Sequence, residues 1–172
     1  SPPFVAGELA ADFETFYARH RDAVARTLAL GFNDHDLGFE AADEAMVRAY
    51  RNWSAVSRYD NPEGWVFKVG LNWGRSWLRR RLTATIKAPL LAGHRTSPTI
   101  EELASDPDLA RAVATLKQDH RIVVVLRFER DYTVAQIAEI LGVAEGTVKS
   151  RLSRALNLLA GELATARPEE QR

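Results

Sequence analysis

The sequence contains no cysteine, and this absence excludes disulfides, thiol nucleophiles and thiolate metal sites. It also contains no apolar run near the roughly 18 residues that a membrane-spanning helix needs. The first ten residues, SPPFVAGELA, have neither the basic start nor the long apolar segment of a secretion signal. We therefore expect a cytoplasmic protein without membrane insertion.

Motifs of enzyme active sites are also absent from the sequence. It has no glycine-rich phosphate loop and no nucleophile motif, and its four histidines lack metal-ligand spacing. We expect His20 to be a packed core residue, because it lies on the apolar face of its predicted helix. The acidic stretch NDHDLGFEAADE lacks the ligand order of a calcium loop, so a metal site there is a remote alternative. The sequence predicts a protein that is not an enzyme and needs no cofactor.

Charge is segregated along the chain, although the net charge of the 172 residues is zero. Residues 1–64 contain 6 basic and 11 acidic residues, whereas residues 65–95 contain 7 basic residues and no acidic one. With 46% hydrophobic and 27% charged residues, the composition is that of a globular protein of one or two small domains. The neutral average therefore does not argue against a nucleic-acid partner for the basic block.

Apolar residues three and four positions apart predict helices through most of the chain. One helix covers residues 13–28 and ends at Gly31, and a second covers residues 42–53. Three prolines and scattered small residues between positions 83 and 107 predict a linker with at most short helical pieces. The helical pattern resumes after this segment and holds to about Ala166.

The stretch RIVVVLRF, residues 121–128, is rich enough in β-branched residues to pass for a buried strand. Helical patterns flank it closely, and the sequence offers no second strand with which it could pair. Because a lone strand is not stable, we predict a helix here.

Two helices joined by a short turn are predicted near the C-terminus. Thr133 and Gln136 have the spacing of a capping box at the start of the first helix. Gly142 ends that helix, and residues 143–145 form the turn. The buried face predicted for the second helix consists of Val148, Leu152, Ala155 and Leu156. Its acid-free polar face contains Thr147, Lys149, Ser150, Arg151, Ser153, Arg154 and Asn157. This pattern predicts a DNA-binding helix-turn-helix, although a plain helix pair with a solvated basic face would look similar.

A second acid-free stripe lies on a helix that begins at NPEGW. Asn61 can cap this helix and Pro62 fits its first turn, and the pattern runs to about Leu82. The stripe consists of Lys68, Asn72, Arg75, Ser76 and Arg79. The opposite, apolar side consists of Trp65, Val66, Val69, Trp73 and Trp77. Trp53, Tyr59 and Trp65 flank the turn before the helix, where they either pack in the core or form a pocket for an unstacked base. Two such stripes indicate a chain that touches DNA at two places.

These motifs together resemble bacterial RNA polymerase sigma factors of the sigma-70 family, extracytoplasmic-function (ECF) group. EAADEAMVRAYRNW is similar to the family's core-polymerase-binding segment and NPEGWVFKVGLNWGRSWLRRR to its minus-ten recognition helix. TVAQIAEILGVAEGTVKSRLSRALNLL is similar to its minus-thirty-five helix-turn-helix. The stretch GFNDHDLGFE departs from the more regular acidic run that is usual in the family.

The resemblance implies an all-α fold of two small helical domains joined by a flexible linker. Residues 1–84 would bind core polymerase and the minus-ten element, residues 85–107 would be the linker, and residues 108–172 would contain the helix-turn-helix. The resemblance also implies three partners, namely core RNA polymerase, promoter DNA and an anti-sigma factor. The implied function is to direct polymerase to specific promoters and to help initiate transcription.

The resemblance further implies roles for individual residues. Asn72 and Ser76 stand where the minus-ten element is read, with Lys68 and Arg75 near the DNA backbone and Arg79 on the same stripe. The residues that match the minus-thirty-five helix are Lys149, Ser150, Arg151, Ser153 and Arg154. The residues that fall in the polymerase-binding segment are Asp43, Glu44 and Arg48.

Two other functions stay open on the residues alone. The chain could be a self-sufficient helix-turn-helix regulator whose other domain senses a signal or dimerises, or a pure interaction protein that binds other helices. The second basic stripe favours the sigma factor, because a sensor domain would not need a second DNA-facing surface.

Overall fold

The computed structural model describes residues 6–87, 100–104 and 106–166, and every regular element within them is an α-helix. This confirms the predicted all-α fold. In chain order the helices are α1 (Ala6–Phe32), α2 (His35–Arg51), α3 (Trp53–Val56), α4 (Pro62–Lys87), α5 (Ile100–Leu103), α6 (Pro107–Ala114), α7 (Gln118–Phe128), α8 (Val134–Leu141) and α9 (Glu145–Ala166). We call α1–α4 the N-terminal half and α6–α9 the C-terminal half.

The N-terminal half is built on the close packing of α1 against α2. The small residues of α2, among them Ala41, Ala42 and Ala45, are fully buried and allow the two helix axes to approach. At Gly38 the approach is closest, because a Cβ atom there would lie 2.2 Å from the backbone nitrogen of Ala29. No side chain larger than hydrogen fits at this crossing without moving the helices apart.

A tight turn joins α1 to α2 in the stretch that departs from the family pattern. The first helix ends at Phe32 rather than at Gly31 as predicted, and Asn33 takes a left-handed φ of 52°. Asparagine tolerates this conformation better than most residues, so it ends the helix in place of glycine. Asp34 then caps α2 by accepting a hydrogen bond of 3.0 Å from the backbone N–H of Leu37.

The helix α4 begins where the sequence predicts but buries a different face. Asn61 accepts the backbone N–H of Gly64 at 2.9 Å, which confirms the cap, and the helix continues five residues beyond Leu82. Its fully buried side chains are Val66, Phe67 and Leu71, because α1 and α2 pack on that side. Of the predicted apolar face only Val66 is fully buried. The residues that are partly buried at the edges of the interface are Trp65, Val69, Trp73 and Trp77.

The strand-like stretch is helical, as predicted, and forms the centre of the C-terminal half. All five residues from Ile122 to Leu126 are buried, and α7 contacts α1, α6, α8 and α9. A helix that is enclosed on every side is apolar all round. This explains why the stretch lacks the alternation of polar and apolar residues that marks a surface helix.

The helix-turn-helix has the predicted local geometry. Both hydrogen bonds of the capping box between Thr133 and Gln136 are present, and Gly142 takes a left-handed φ of 65°. The second helix begins at Glu145, one residue earlier than the predicted turn allows. The prediction that Leu156 is buried is wrong, because its side chain is 45% exposed. The buried face is Val148, Leu152, Ala155 and Leu159.

The two halves pack directly against each other through α1 and α7. Arg121 of α7 is 8% exposed and donates its Nε–H to the carbonyl oxygen of Gly31 at 2.7 Å. Its Nη1 donates to the carbonyl oxygen of Leu116 at 2.9 Å. The short helix α5 lies within the predicted linker, of which residues 88–99 and 105 lie outside the described part of the chain. The division at residues 85–107 stays a prediction.

Candidate nucleic-acid interface

The exposed face of α9 contains the predicted minus-thirty-five residues. Lys149, Ser150, Ser153 and Arg154 are exposed, whereas Arg151 is partly buried against α7. This face borders a recess of about 520 Å³ that also includes Lys117 of the connection before α7. The positive end of the α9 dipole lies at the same place, so the face combines side-chain cations with a helix terminus that favours anions.

The predicted minus-ten stripe on α4 is divided by the contact between the halves. Lys68, Asn72 and Arg79 are exposed, whereas Arg75 and Ser76 are partly buried. Burial lowers the pKa of Arg75, and the nearby charge of Arg151 lowers it further while Asp119 opposes the change. An arginine pKa starts so high that the guanidinium stays charged at neutral pH. Part of the stripe therefore faces the C-terminal half, and the remainder faces outward.

Asp119 joins the two predicted DNA-binding sets. Its Oδ1 lies 3.7 Å from Nη2 of Arg75, and its Oδ2 lies 3.7 Å from Nη2 of Arg151. The Asp119 side chain is 58% exposed, so these are long, solvent-screened pairs that contribute little stability. Sequence reasoning missed Asp119, because an acidic residue in the first turn of a helix has an ordinary local explanation in the helix dipole.

The turn between α3 and α4 forms an aromatic cleft of about 440 Å³. Trp53 is not part of it, because this side chain is 6% exposed and donates its Nε1–H to Asp12 at 3.1 Å. Tyr59, which is 48% exposed, and Trp65 do line the cleft, together with Lys68. On the opposite side the cleft is bordered by Gln136, Glu139 and Ile140 of α8. The cleft has the aromatic and polar lining that an unstacked base requires.

The outer face of α2 contains the predicted polymerase-binding residues. Asp43 pairs with Arg21 at 2.8 Å, and Glu44 pairs with Arg48 one helical turn later at 3.3 Å. Exposed apolar side chains lie among these charges, namely Val47, Tyr50 and, on α1, Tyr17. A mixture of aromatic, aliphatic and paired charged groups is typical of a protein interface rather than of a phosphate-binding surface.

A buried carboxylate lies where the halves meet. Glu63, in the first turn of α4, is 8% exposed. Its carboxylate accepts hydrogen bonds from Arg130 at 2.5 and 3.2 Å and from the hydroxyl of Tyr132, and its Oε2 lies 2.5 Å from Nδ1 of His20. Burial alone would raise the pKa of Glu63, but the hydrogen bonds from Arg130 and Tyr132 outweigh burial and lower it. We call these four residues the Glu63 cluster.

Sequence reasoning did not find the Glu63 cluster. Its other members lie 43 to 69 residues from Glu63 in the sequence, so no local spacing connects them to it. The prediction for His20 was of a packed core residue, and the structure places it against Phe16 with its ring nitrogen toward Glu63.

Within residues 6–87, 100–104 and 106–166, no three histidine, aspartate or glutamate side chains converge in a way that could hold a metal ion. The acidic stretch between α1 and α2 has structural contacts instead, since Asp34 caps α2 and Asp36 lies 3.1 Å from His35. Of the helices in these ranges, none combines the length and the apolar character that crossing a bilayer requires.

Comparison with known proteins identifies the family. The family described as Sigma-70, region 4 matches residues 107–159, which contain the helix-turn-helix. The ECF RNA polymerase sigma factor SigM of Mycobacterium tuberculosis is 32% identical over 157 residues, which cover 91% of this chain and 79% of that protein. The chain belongs to the ECF sigma factors. SigL of the same organism is 30% identical over 174 residues, which cover 95% of this sigma factor and 98% of SigL.

Two solved structures share the fold. The sigma factor RpoE from Bartonella quintana, in complex with the anti-sigma factor NepR, matches 91% of this sigma factor and 99% of its own chain, with a TM-score of 0.75 and 23% identity. CnrH, in complex with the cytosolic domain of CnrY, matches 92% of this sigma factor and 97% of its own chain, with a TM-score of 0.62 and 22% identity. The helical arrangement found here is therefore shared with the solved sigma factor RpoE.

Proposed function

We propose that this ECF sigma factor binds core RNA polymerase, directs it to specific promoters and helps initiate transcription in the cytoplasm. The observation that carries the proposal is the presence of two polar helix faces without acidic residues of their own, one on α4 and one on α9, beside a third surface of mixed character on α2. Two DNA-facing surfaces and one protein-facing surface are what a promoter-recognition subunit requires. The proposed role is therefore that of a binding protein and not of an enzyme.

Each surface has a proposed partner. The α9 residues Lys149, Ser150, Arg151, Ser153 and Arg154 would contact the minus-thirty-five element, with exposed side chains reaching phosphates and base edges in the major groove. The α4 residues Lys68, Asn72, Arg75, Ser76 and Arg79 would contact the minus-ten element beside the aromatic cleft. The α2 residues Asp43, Glu44 and Arg48 would contact core polymerase. In this proposal the N-terminal domain ends near residue 84 and the C-terminal domain begins near residue 108.

An anti-sigma factor is a further proposed partner. One of the similar solved structures contains the sigma factor RpoE bound to the anti-sigma factor NepR, and this sigma factor has the same helical fold. A protein that covers either DNA-facing surface would prevent promoter recognition.

The test of the proposed function is binding to genomic DNA fragments with and without core polymerase, followed by sequencing of the retained DNA. Specific retention that depends on core would support the proposal and would give the promoter sequence. Specific retention by the chain alone, unaffected by core, would contradict it in favour of a self-sufficient regulator. A triple variant of Asp43→Ala, Glu44→Ala and Arg48→Ala serves as the control, because it should keep its helices but show no specific retention even when core is present.

A further inference from the structure

The Glu63 cluster connects the two halves of the sigma factor through a single buried carboxylate. Glu63 belongs to α4 and His20 to α1, whereas Arg130 and Tyr132 belong to the connection between α7 and α8. A buried carboxylate is unfavourable unless it is paired and hydrogen-bonded. Two of the three partners of Glu63 come from the C-terminal half, so the cluster is complete only while the halves are in contact.

Tyr132 also contributes apolar contact at the same boundary. Its ring meets the ring of Phe67 edge to face, with centroids 5.9 Å apart, while its hydroxyl donates to Glu63. Arg121 and Gly31 provide a second link between the halves at 2.7 Å. The boundary thus combines apolar packing, which joins both halves in one core cluster, with a few polar bonds at specific atoms. Removal of one partner from such a buried pair is strongly destabilising.

The contact between the halves brings the DNA-facing residues of α4 and those of α9 too close together for both promoter elements to be bound at once. Arg75 and Arg151 each lie 3.7 Å from the Asp119 carboxylate, so their guanidinium groups lie within about 10 Å of each other. Elements at minus ten and minus thirty-five are about 25 base pairs apart, or roughly 85 Å along B-form DNA at ~3.4 Å per base pair. The halves must separate before both elements can be bound.

The same contact limits access to the aromatic cleft. Gln136, Glu139 and Ile140 of α8 border the cleft opposite Tyr59 and Trp65. The cleft and Arg75 therefore both lie at the boundary between the halves. In this closed arrangement, the Asp119 carboxylate lies between Arg75 and Arg151, 3.7 Å from each.

We propose that Glu63 is an intramolecular latch, whose bonds to Arg130 and Tyr132 hold the sigma factor closed with its promoter-facing surfaces turned toward each other. Breaking the latch opens the chain without unfolding either half. The inference rests on the proposed function, because the surfaces that the latch closes are those assigned to promoter DNA.

The test measures the distance between the halves in the full chain. Ala18 of α1 and Ala160 of α9 are exposed, and since the chain has no cysteine, Ala18→Cys and Ala160→Cys allow spin labels at these two positions alone. Pulsed electron paramagnetic resonance then gives the distance distribution. We expect one short distance in the labelled parent and an added, longer population in Glu63→Gln. The ratio of open to closed molecules should rise roughly tenfold, which corresponds to about 1.4 kcal/mol.

Two further variants keep the test decisive. Glu129→Gln removes an exposed carboxylate next to Arg130 and should leave the distribution unchanged. Tyr132→Phe removes one hydroxyl from the cluster and should show the longer population to a smaller extent, with the helical circular dichroism of the parent. An unchanged distribution in a folded Glu63→Gln or Tyr132→Phe chain would overturn the latch, and so would equal opening in Glu129→Gln.

The latch and the proposed function fail in different ways. The distance measurement contains neither DNA nor polymerase, so it reports on the latch alone. Retention of genomic DNA by the polymerase complex reports on promoter recognition alone. A sigma factor that opens in Glu63→Gln but retains no specific DNA with core would support the latch and refute the proposed function.

Discussion

Arg121 donates its Nε–H to the carbonyl oxygen of Gly31, 90 residues earlier in the chain, at 2.7 Å. That carbonyl belongs to the last turn of α1, where carbonyl groups have no partner inside the helix and the helix dipole favours a cation. Burial lowers the pKa of Arg121, and the two carbonyl acceptors compensate for the water that the guanidinium has lost.

We predict that Arg121→Ala lowers the free energy of unfolding by roughly 3–6 kcal/mol, since it removes two hydrogen bonds from a charged donor and such bonds contribute about 1.5–3 kcal/mol each. Arg121→Met should cost less, because an apolar side chain of similar size can replace a buried charge. Urea unfolding of both variants measures the difference. The control is Arg111→Ala, at an exposed position paired with Asp108, which should change stability by about 0.5 kcal/mol at most. Equal effects of Arg121→Ala and Arg111→Ala would contradict the role assigned to Arg121.

The crossing of α1 and α2 gives a second prediction. A Cβ atom at Gly38 would lie 2.2 Å from the Ala29 backbone nitrogen, so Gly38→Ala must separate two helices and should destabilise the protein by about 1–3 kcal/mol or more. Gly161, on α9, has no heavy atom within 4 Å of such a Cβ. Gly161→Ala should therefore be neutral or stabilise by up to about 1 kcal/mol through helix propensity. Thermal unfolding of both variants measures these effects. A melting temperature of Gly38→Ala at or above that of the parent protein would contradict this account of the crossing.

The face of α9 gives a prediction about salt. In complexes of the sigma factor, core polymerase and promoter DNA, Lys149→Ala or Arg154→Ala should weaken binding. A lost phosphate contact lowers the slope of log affinity against log salt by about 0.9, and a lost base contact costs about 1–3 kcal/mol at one position of the element. Fluorescence anisotropy at several salt concentrations distinguishes these results. Unchanged affinity and an unchanged salt slope in both variants would show that this face does not contact DNA. Arg111→Ala again serves as the exposed control, and it should change neither quantity.

The stripe on α4 gives a prediction about sequence preference. Asn72 is exposed and lies one helical turn after Lys68, near the aromatic cleft. We expect Asn72→Ala to impair or relax selection at the minus-ten element and to leave selection at the minus-thirty-five element unchanged. Transcription in vitro from promoters that are randomised at one element at a time measures both preferences. A change at the minus-thirty-five element instead would reverse the assignment of the two surfaces.

The lowered pKa of Glu63 gives a prediction about pH. Because the folded-state pKa lies below the ordinary value of about 4.3, the stabilising effect of the ionised carboxylate is fully present above that pH. It is lost as the pH falls further, through the folded-state pKa. The difference in unfolding free energy between the parent and Glu63→Gln should therefore be constant at pH 5 and above and shrink toward pH 3.

The groups that face Glu63 determine how this measurement is interpreted. Burial alone would lower the pKa of Arg130, but the hydrogen bond and charge of Glu63, together with nearby Tyr132 and Asp131, raise it. The pKa of Tyr132 is raised by burial and by the same carboxylate. Both keep their protons throughout the acidic range. His20 is the third group that faces Glu63, and repeating the titration in a His20→Gln background separates its contribution. A difference that stayed constant down to pH 3 would show that the charge of Glu63 does not stabilise the fold.

Local signals in the sequence were sufficient for much of the fold. The cap at Asn61, the capping box of Thr133 and Gln136, and the left-handed Gly142 all depend on residues within a few positions of each other. Their hydrogen bonds form wherever the helix forms, so spacing alone predicts them. The same holds for the exposed cations of α9, because a surface face leaves no other helix to compete for them.

Contacts between distant residues could not be predicted from spacing. The tryptophans of α4 were expected to form its buried face, but α1 and α2 pack on the side of Phe67 and Leu71 instead. Arg75 follows the polar stripe by its position in the sequence, yet it lies partly buried beside Asp119. In each case the neighbour that decides the burial of the residue lies on another helix.

The burial of a single carboxylate at position 63 has a consequence for regulation. If most molecules are closed, a partner that binds only the open form has an apparent affinity reduced by the fraction of open molecules. Each ~1.4 kcal/mol of closing free energy then makes that affinity about tenfold weaker, so the latch sets the polymerase concentration at which the sigma factor becomes active. A variant that changes only Glu63 removes none of the side chains assigned to DNA or polymerase, so the latch predicts that it would raise transcription at a low polymerase concentration.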